Sequence, residues 1–292
     1  MHDTFHETPT RIDSPDGAAW GVVCLPTDAE PAADVGVVFV QGGFQYRVGS
    51  HRQTVRLARR LASVGVPSLR FDLAGLGDAT GEIHNFEHLS PQIQAATDTL
   101  SQQAPAVKRV VLWGLCDGAS AALLHWEQTR DTRIHGLALV NPWVRSEASL
   151  ARTHVRHYYL RRLQDKTFWQ KLLRGRVGTK AVGELLSNLR LAQQKKSAPA
   201  ASFQERMAKA WREFQGDMLL VISEADITGQ EFIDTLRQDP KWTGCLDTPR
   251  LTRISLPHAD HTNSTPAADQ QLMQETCSWL TQLRQRLTSR PA

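Results

Sequence analysis

The sequence predicts an α/β architecture: a mostly parallel central sheet covered by helices on both faces. Three observations carry that prediction. Apolar, β-branched runs of the kind buried on both faces of a sheet recur along the chain, residues 35–41 being the clearest. Helix-compatible stretches alternate with them, which is the pattern that generates parallel strands through crossover connections. At 292 residues the chain can bury a full core in one such domain, or in a domain with an insertion.

Residues 20–25 read as an early strand and 35–41 as a second. Gly42 to Gln53 form a glycine-bearing turn that runs into a helix from about residue 50, with Ser50 as N-cap and Leu57 and Leu61 on one face. Residues 66–72 are a strand, 73–81 a tight glycine turn and 91–100 a helix. A strand at 110–113, an Ala- and Leu-rich helix at 119–126 and a buried strand at 134–140 follow, the last ending at Asn141-Pro142. From Arg145 the strand signal disappears, and Leu160, Leu163, Phe168, Leu172 and Leu173 recur at helical spacing. Residues 145–215 therefore read as a helical cap insertion, with 1–144 and 216–292 as the core. Strand character returns at 218–223, followed by a helix at 229–237, a strand at 251–256 and a closing helix at 266–287. No internal repeat or low-complexity tract interrupts this order.

The net charge of +4 conceals an uneven distribution, because residues 145–215 hold sixteen Lys and Arg against five Asp and Glu. A basic insertion suits an acidic ligand or an anionic surface. No nucleic-acid-binding motif accompanies it. The start of the chain has no apolar h-region and no run approaches a membrane span, so a cytoplasmic protein is expected. Cys24, Cys116, Cys245 and Cys277 lie far apart without a C-x-x-C pair, which suggests reduced thiols rather than a disulfide framework or zinc knuckle.

The chemistry concentrates at Gly114-Leu115-Cys116-Asp117-Gly118, between a strand and a helix. This is the spacing of the nucleophile elbow, G-x-S-x-G, with Cys in place of Ser. A strand that turns abruptly into a helix strains the central residue and needs neighbours with almost no side chain. The new helix contributes free N–H groups and a positive dipole end, both favourable to a thiolate and a developing oxyanion. A buried Cys in a tight turn is the plainer reading of these five residues alone.

Active sites in such sheets lie at the C-terminal strand ends, which selects the loops after Gln41, Asp72, Trp113, Ser223 and Leu256. Those loops supply Asp226 and His261, so the order Cys116, Asp226, His261 is nucleophile, acid, histidine, the order of an α/β-hydrolase. His261 would take the thiol proton or form a thiolate–imidazolium pair, and Asp226 would orient the ring. Glu224 and His258 are the competing acid and histidine. A metal site from His258, Asp260 and His261 lacks a further ligand, so no metal and no cofactor are expected. One oxyanion donor would be the N–H of Asp117, and the other that of Gly43 or Phe44. Arg47, His51 and Arg52 could bind an anionic substrate group or merely solvate a helix start. Gly75-Leu76-Gly77 lacks the third glycine of a dinucleotide fingerprint.

The elbow, the turn Phe71-Asp72-Leu73-Ala74-Gly75-Leu76-Gly77 and the order Cys116, Asp226, His261 resemble the α/β-hydrolase superfamily over essentially the whole chain. Gly42 to Gln53, Leu112 to Ser120 and Phe168-Trp169-Gln170-Lys171-Leu172-Leu173 resemble, more narrowly, the hydrolase 1 group associated with the exosortase A system. That resemblance implies a bacterial protein encoded near machinery for exopolysaccharide production and sorting of PEP-CTERM proteins. The superfamily usually carries Ser at the nucleophile, and Cys116 resembles the dienelactone-hydrolase variant. Gln41-Gly42 stands where many relatives have His-Gly.

Three functions remain in view. One is a cysteine hydrolase of a small-molecule or carrier-bound ester or thioester, the carrier being acidic to match the basic cap. Another is an acyltransferase that passes the acyl group to a sugar hydroxyl. A third is a noncatalytic adaptor whose cap touches a membrane surface or a partner, with Phe168 and Trp169 as interfacial anchors. The oligomeric state is not readable.

Overall fold

The computed structural model describes residues 5–27, 34–145 and 201–289. The chain divides into two units, Met1–Val144 with Phe203–Ala292, and Arg145–Ser202. The second lies almost wholly outside the described residues, and with it the cap's amphipathic stretch at Phe168 and Trp169.

The first unit is built on an eight-stranded sheet with the order β1-β2-β4-β3-β5-β6-β7-β8. Its strands are β1 (Phe5–Ser14), β2 (Gly17–Pro26), β3 (Val35–Val40), β4 (Ser68–Phe71), β5 (Arg109–Leu115), β6 (Ile134–Val140), β7 (Asp217–Ser223) and β8 (Leu251–Leu256). Every pairing from β4 through β8 is parallel, as the apolar runs predict, while β2 joins β4 and β1 joins β2 antiparallel. Strand β1 was not legible in the sequence. It is largely polar and contains Pro9, a residue that an edge strand tolerates because one row of its N–H groups needs no partner.

Helices α1 (Gln53–Ser63) and α6 (Pro266–Thr288) cover one face. Leu57, Leu61, Leu272, Trp279 and Leu283 pack there against Val37, Phe39 and Val111. Helices α2 (Ser90–Gln103), α3 (Asp117–Thr129), α4 (Phe203–Glu213) and α5 (Ile227–Gln238) cover the other.

Two boundaries differ from the sequence reading. Helix α4 lies in the stretch assigned to the insertion, yet it belongs to the core. Met207 and Trp211 are buried, Trp211 packs at a tilt against Phe232 and edge-to-face with Trp242, and its Nε1–H donates to the Cys245 carbonyl at 2.8 Å. The insertion thus ends at Ser202 rather than near 215, because an amphipathic pattern does not reveal which surface receives it. Ser50 does not cap α1. It opens a 3₁₀ turn, Ser50–Arg52, and its Oγ accepts from Gln45 Nε2, while Arg52 precedes α1 in a left-handed conformation.

The ladder continues past the strand ends. The Cys116 N–H donates to the Val140 carbonyl, Asn141 to Val221 and Glu224 to Leu256. Backbone hydrogen bonds thereby hold the C-terminal ends of β5 through β8 in register where the loops depart.

Candidate active site

Strand β5 delivers an unbroken buried run from Val110 to Leu115, and α3 begins at Asp117. Cys116 makes the turn between them with φ 59° and ψ −126°. A non-glycine residue there stores strain of about 1–3 kcal/mol, a cost found mostly at functional sites. The flanking glycines are sterically required. A Cβ on Gly114 would lie 2.5 Å from the Gly118 carbonyl group, and one on Gly118 would lie 2.4 Å from the Val40 oxygen. Close approach of α3 to the ends of β3 and β5 is what excludes side chains. Cys116 is half-buried, whereas Cys24, Cys245 and Cys277 are buried.

Asp226 ends the loop after β7 and caps α5. Its Oδ1 accepts from the Thr228 N–H at 3.1 Å and its Oδ2 from the Gly229 N–H at 3.0 Å. The same Oδ2 lies 2.9 Å from His261 Nδ1. Burial alone would raise the carboxyl, but His261 and the two N–H groups outweigh it and hold the acid below its usual range. On His261 the carboxylate acts in the opposite direction. Its hydrogen bond, followed by one to the Cys116 side chain, pushes the imidazole up to about 10 against the burial that lowers it. Cys116, His261 and Asp226 thus form one connected chain of groups.

Asn141 braces this arrangement, and sequence reasoning registered it only as a strand end. It is fully buried at φ 45°. Its Oδ1 accepts from the Ser223 N–H at 2.8 Å, and its Nδ2 donates to Ser223 Oγ at 2.9 Å and to the His261 carbonyl at 3.3 Å. Asn141-Pro142 at the end of an apolar run was the available signal, because asparagine is among the few residues that readily take a positive φ.

The competing residues lie elsewhere. Glu224 is exposed, in a groove with Arg237 and Arg253, and His258 is exposed too. Asp260 binds its own loop at Ser264. Among the described residues no group of three or more His, Cys, Asp or Glu could hold a metal ion. No described helix is long and apolar enough to cross a membrane.

The loop after β3 carries the remaining expected residues. Backbone N–H groups of Gly43, Asp117 and Gly118 face the half-buried Asp117 carboxyl, whose pKa burial raises in spite of them. Phe44 projects outward and is 82% exposed. Arg47 does not stand free for an anionic ligand. Its guanidinium pairs with the fully buried Asp72 and with Asp78, and its N–H donates to Asp72 Oδ1 at 2.7 Å. This corrects the substrate-binding reading of Arg47: its partners arrive from a loop remote in sequence. His51 and Arg52 are exposed, at φ 52° and 60°, and His51 Nε2 approaches Thr262 Oγ1 at 3.4 Å. The Gly75–Gly77 turn wraps the same carboxylate, since a Cβ on Gly77 would lie 2.4 Å from Asp72 Cγ.

Residues 34–210 match the family model described as serine aminopeptidase, S33. No curated protein matches the chain in sequence. Among solved structures, the Pyrococcus furiosus esterase Pf2001 superposes with a TM-score of 0.61 at 14% identity, over 96% of this chain and 94% of its own. The dienelactone hydrolase of Anabaena variabilis gives 0.60 at 14% identity, over 96% and 99%. XC6422 of Xanthomonas campestris, an α/β serine hydrolase without a lid, gives 0.56 at 14% identity, over 98% and 97%. Identities this low speak for the fold, and the family match covers more than half the sequence. With a mostly parallel sheet and a strained elbow between β5 and α3, the chain belongs to the α/β hydrolases of the serine aminopeptidase S33 family.

Proposed function

We propose that the protein is a cysteine-nucleophile hydrolase of an ester or thioester, with Cys116 as nucleophile, His261 as acid–base and Asp226 as orienting acid. The observation that carries the reading is the strained Cys116 backbone joined to the His261–Asp226 pair. An imidazole raised to about 10 is protonated at neutral pH, and the reacting form proposed here is a thiolate–imidazolium pair of Cys116 and His261.

Cys116 Sγ attacks the acyl carbon, and the electron pair of the C=O bond moves to oxygen. The N–H of Asp117 and that of Gly43 or Phe44 are the proposed donors for that oxyanion. In the free protein the Asp117 carboxyl faces the same donors, and burial raises its pKa in spite of them. Collapse of the intermediate expels a thiol or alcohol that takes its proton from His261. Acylation removes the thiolate, one of the groups that raise His261, so the imidazole becomes a better base. His261 then deprotonates water, which attacks the acyl carbon, releases the carboxylic acid and leaves the Cys116 thiolate beside the protonated His261.

The basic stretch 145–215 and the exposed His51 and Arg52 favour an acidic carrier, such as a coenzyme A or carrier-protein thioester. A sugar hydroxyl in place of water would make the same acyl-enzyme an acyltransferase, the form suited to an exopolysaccharide or exosortase setting. The test is mass spectrometry of the protein mixed with acetyl and hexanoyl coenzyme A. An acyl group on Cys116 that accumulates in His261→Ala and is absent in Cys116→Ala supports the reading. Turnover unaffected by Cys116→Ala overturns it, and no acylation with any ester or thioester leaves the adaptor. Addition of a sugar acceptor separates transfer from hydrolysis.

A further inference from the structure

We infer that the pocket walled by the turns after β3 and β4 is the acyl subsite, and that it accepts an uncharged, apolar acyl chain. The inference rests on the reading of Cys116 as nucleophile. The pocket encloses about 230 Å³. Its wall includes Leu73, Leu76, Phe86 and Leu89, together with Gly43 and Asp117, whose N–H groups are among the proposed oxyanion donors. A carbonyl oxygen held by those donors therefore has an apolar cavity beside its chain.

Two further features assign the chemistry. Phe44 and Ile83 belong to this wall and are 82% and 54% exposed, so two large apolar side chains face solvent at one cavity. A bound acyl chain would cover that surface. The cavity also has the wrong charges for an acidic acyl group. Among the described residues no Lys or Arg lines it, its acid is Asp117, and His84 has Asp16 3.8 Å from its Nε2. A terminal carboxylate would find no Lys or Arg among these described lining residues and would lie beside another acid. The two ends of the substrate thus differ: any negative charge belongs to the carrier, and the acyl chain is neutral.

The test compares acetyl, butyryl and hexanoyl coenzyme A with adipoyl coenzyme A, which has the hexanoyl length and a terminal carboxylate. The rate of Cys116 acylation is followed in the full chain. Hexanoyl should exceed both acetyl and adipoyl by at least about tenfold, since each buried methylene is a discriminating contact. Ile83→Asp, at an exposed position, and Leu76→Trp, which fills the cavity, should abolish the preference while iodoacetamide still alkylates Cys116 at the wild-type rate. Equal acylation by hexanoyl and adipoyl, or a preference that survives Ile83→Asp, overturns the inference. Failure of every thioester to acylate Cys116 rejects the nucleophile instead. In that event, ligand-observed NMR with hexanamide and adipamic acid decides the pocket: hexanamide binding lost in Ile83→Asp supports it, and no binding or equal binding overturns it.

Discussion

Four thiols share this chain, and their surroundings separate one from the other three. Burial pushes Cys24 up to about 12 and raises Cys245 and Cys277 as well. Cys116 is half-buried and touches a protonated imidazole. Iodoacetamide at about pH 6.5 should therefore label Cys116 first, and His261→Ala should slow that labelling by at least about tenfold. Peptide mapping reads both, and labelling of the four cysteines at equal rates would contradict the pairing. His261 also links stability to pH. Its folded value of about 10 exceeds the ordinary 6.5, so the pairing contributes fully below about pH 6.5, declines as pH rises further and is gone above about pH 10. The difference in Tm between wild type and His261→Ala should shrink along that rise. A difference constant from pH 6 to pH 10 would remove the ion pair from the account.

At the scale of elements, the loop from β7 into α5 performs two tasks with one side chain. Asp226 satisfies the first N–H groups of α5 and orients His261. The tasks can be separated, because Asn caps a helix about as well as Asp but cannot hold the same imidazole tautomer with a negative charge. Asp226→Asn should retain the helix start and lower kcat by about 10³- to 10⁴-fold. Asp226→Ala should in addition lose about 1 kcal/mol of stability from the missing cap. Urea unfolding beside thioester turnover measures the two effects. A fully active Asp226→Asn would return the acid's role to Glu224.

Across the whole molecule, the C-terminal edge of the sheet is made rigid by contacts between loops far apart in sequence. Arg47 reaches Asp72, 25 residues away, and Asp78, while Asn141 reaches Ser223, 82 residues away. Arg47→Met would leave the fully buried Asp72 without its cation. The expected loss is about 3–5 kcal/mol, the penalty for an uncompensated buried charge. Were Arg47 instead a ligand for anionic substrates, the substitution would raise KM and leave urea stability unchanged. Measuring both distinguishes a clamp from a binding residue.

The sequence by itself determined the parallel strands, the strand-to-helix elbow and the placement of Cys116, Asp226 and His261 on loops at one edge of the sheet. These depend on local physics: continuous apolar runs demand burial on both faces, and a glycine precedes the elbow because a Cβ on Gly114 would meet the Gly118 carbonyl, four residues on, at 2.5 Å. Other features became visible only in three dimensions. β1 is held by pairing with β2 rather than by its own polar composition, and α4 joins the core because Trp211 finds Phe232 and Trp242. Arg47 changed from an anion-binding candidate to a clamp, and Asp226 was separated from Glu224, for the same reason. Burial and hydrogen-bond partners are properties of distant segments brought together, and no residue carries them in its own neighbourhood of the chain.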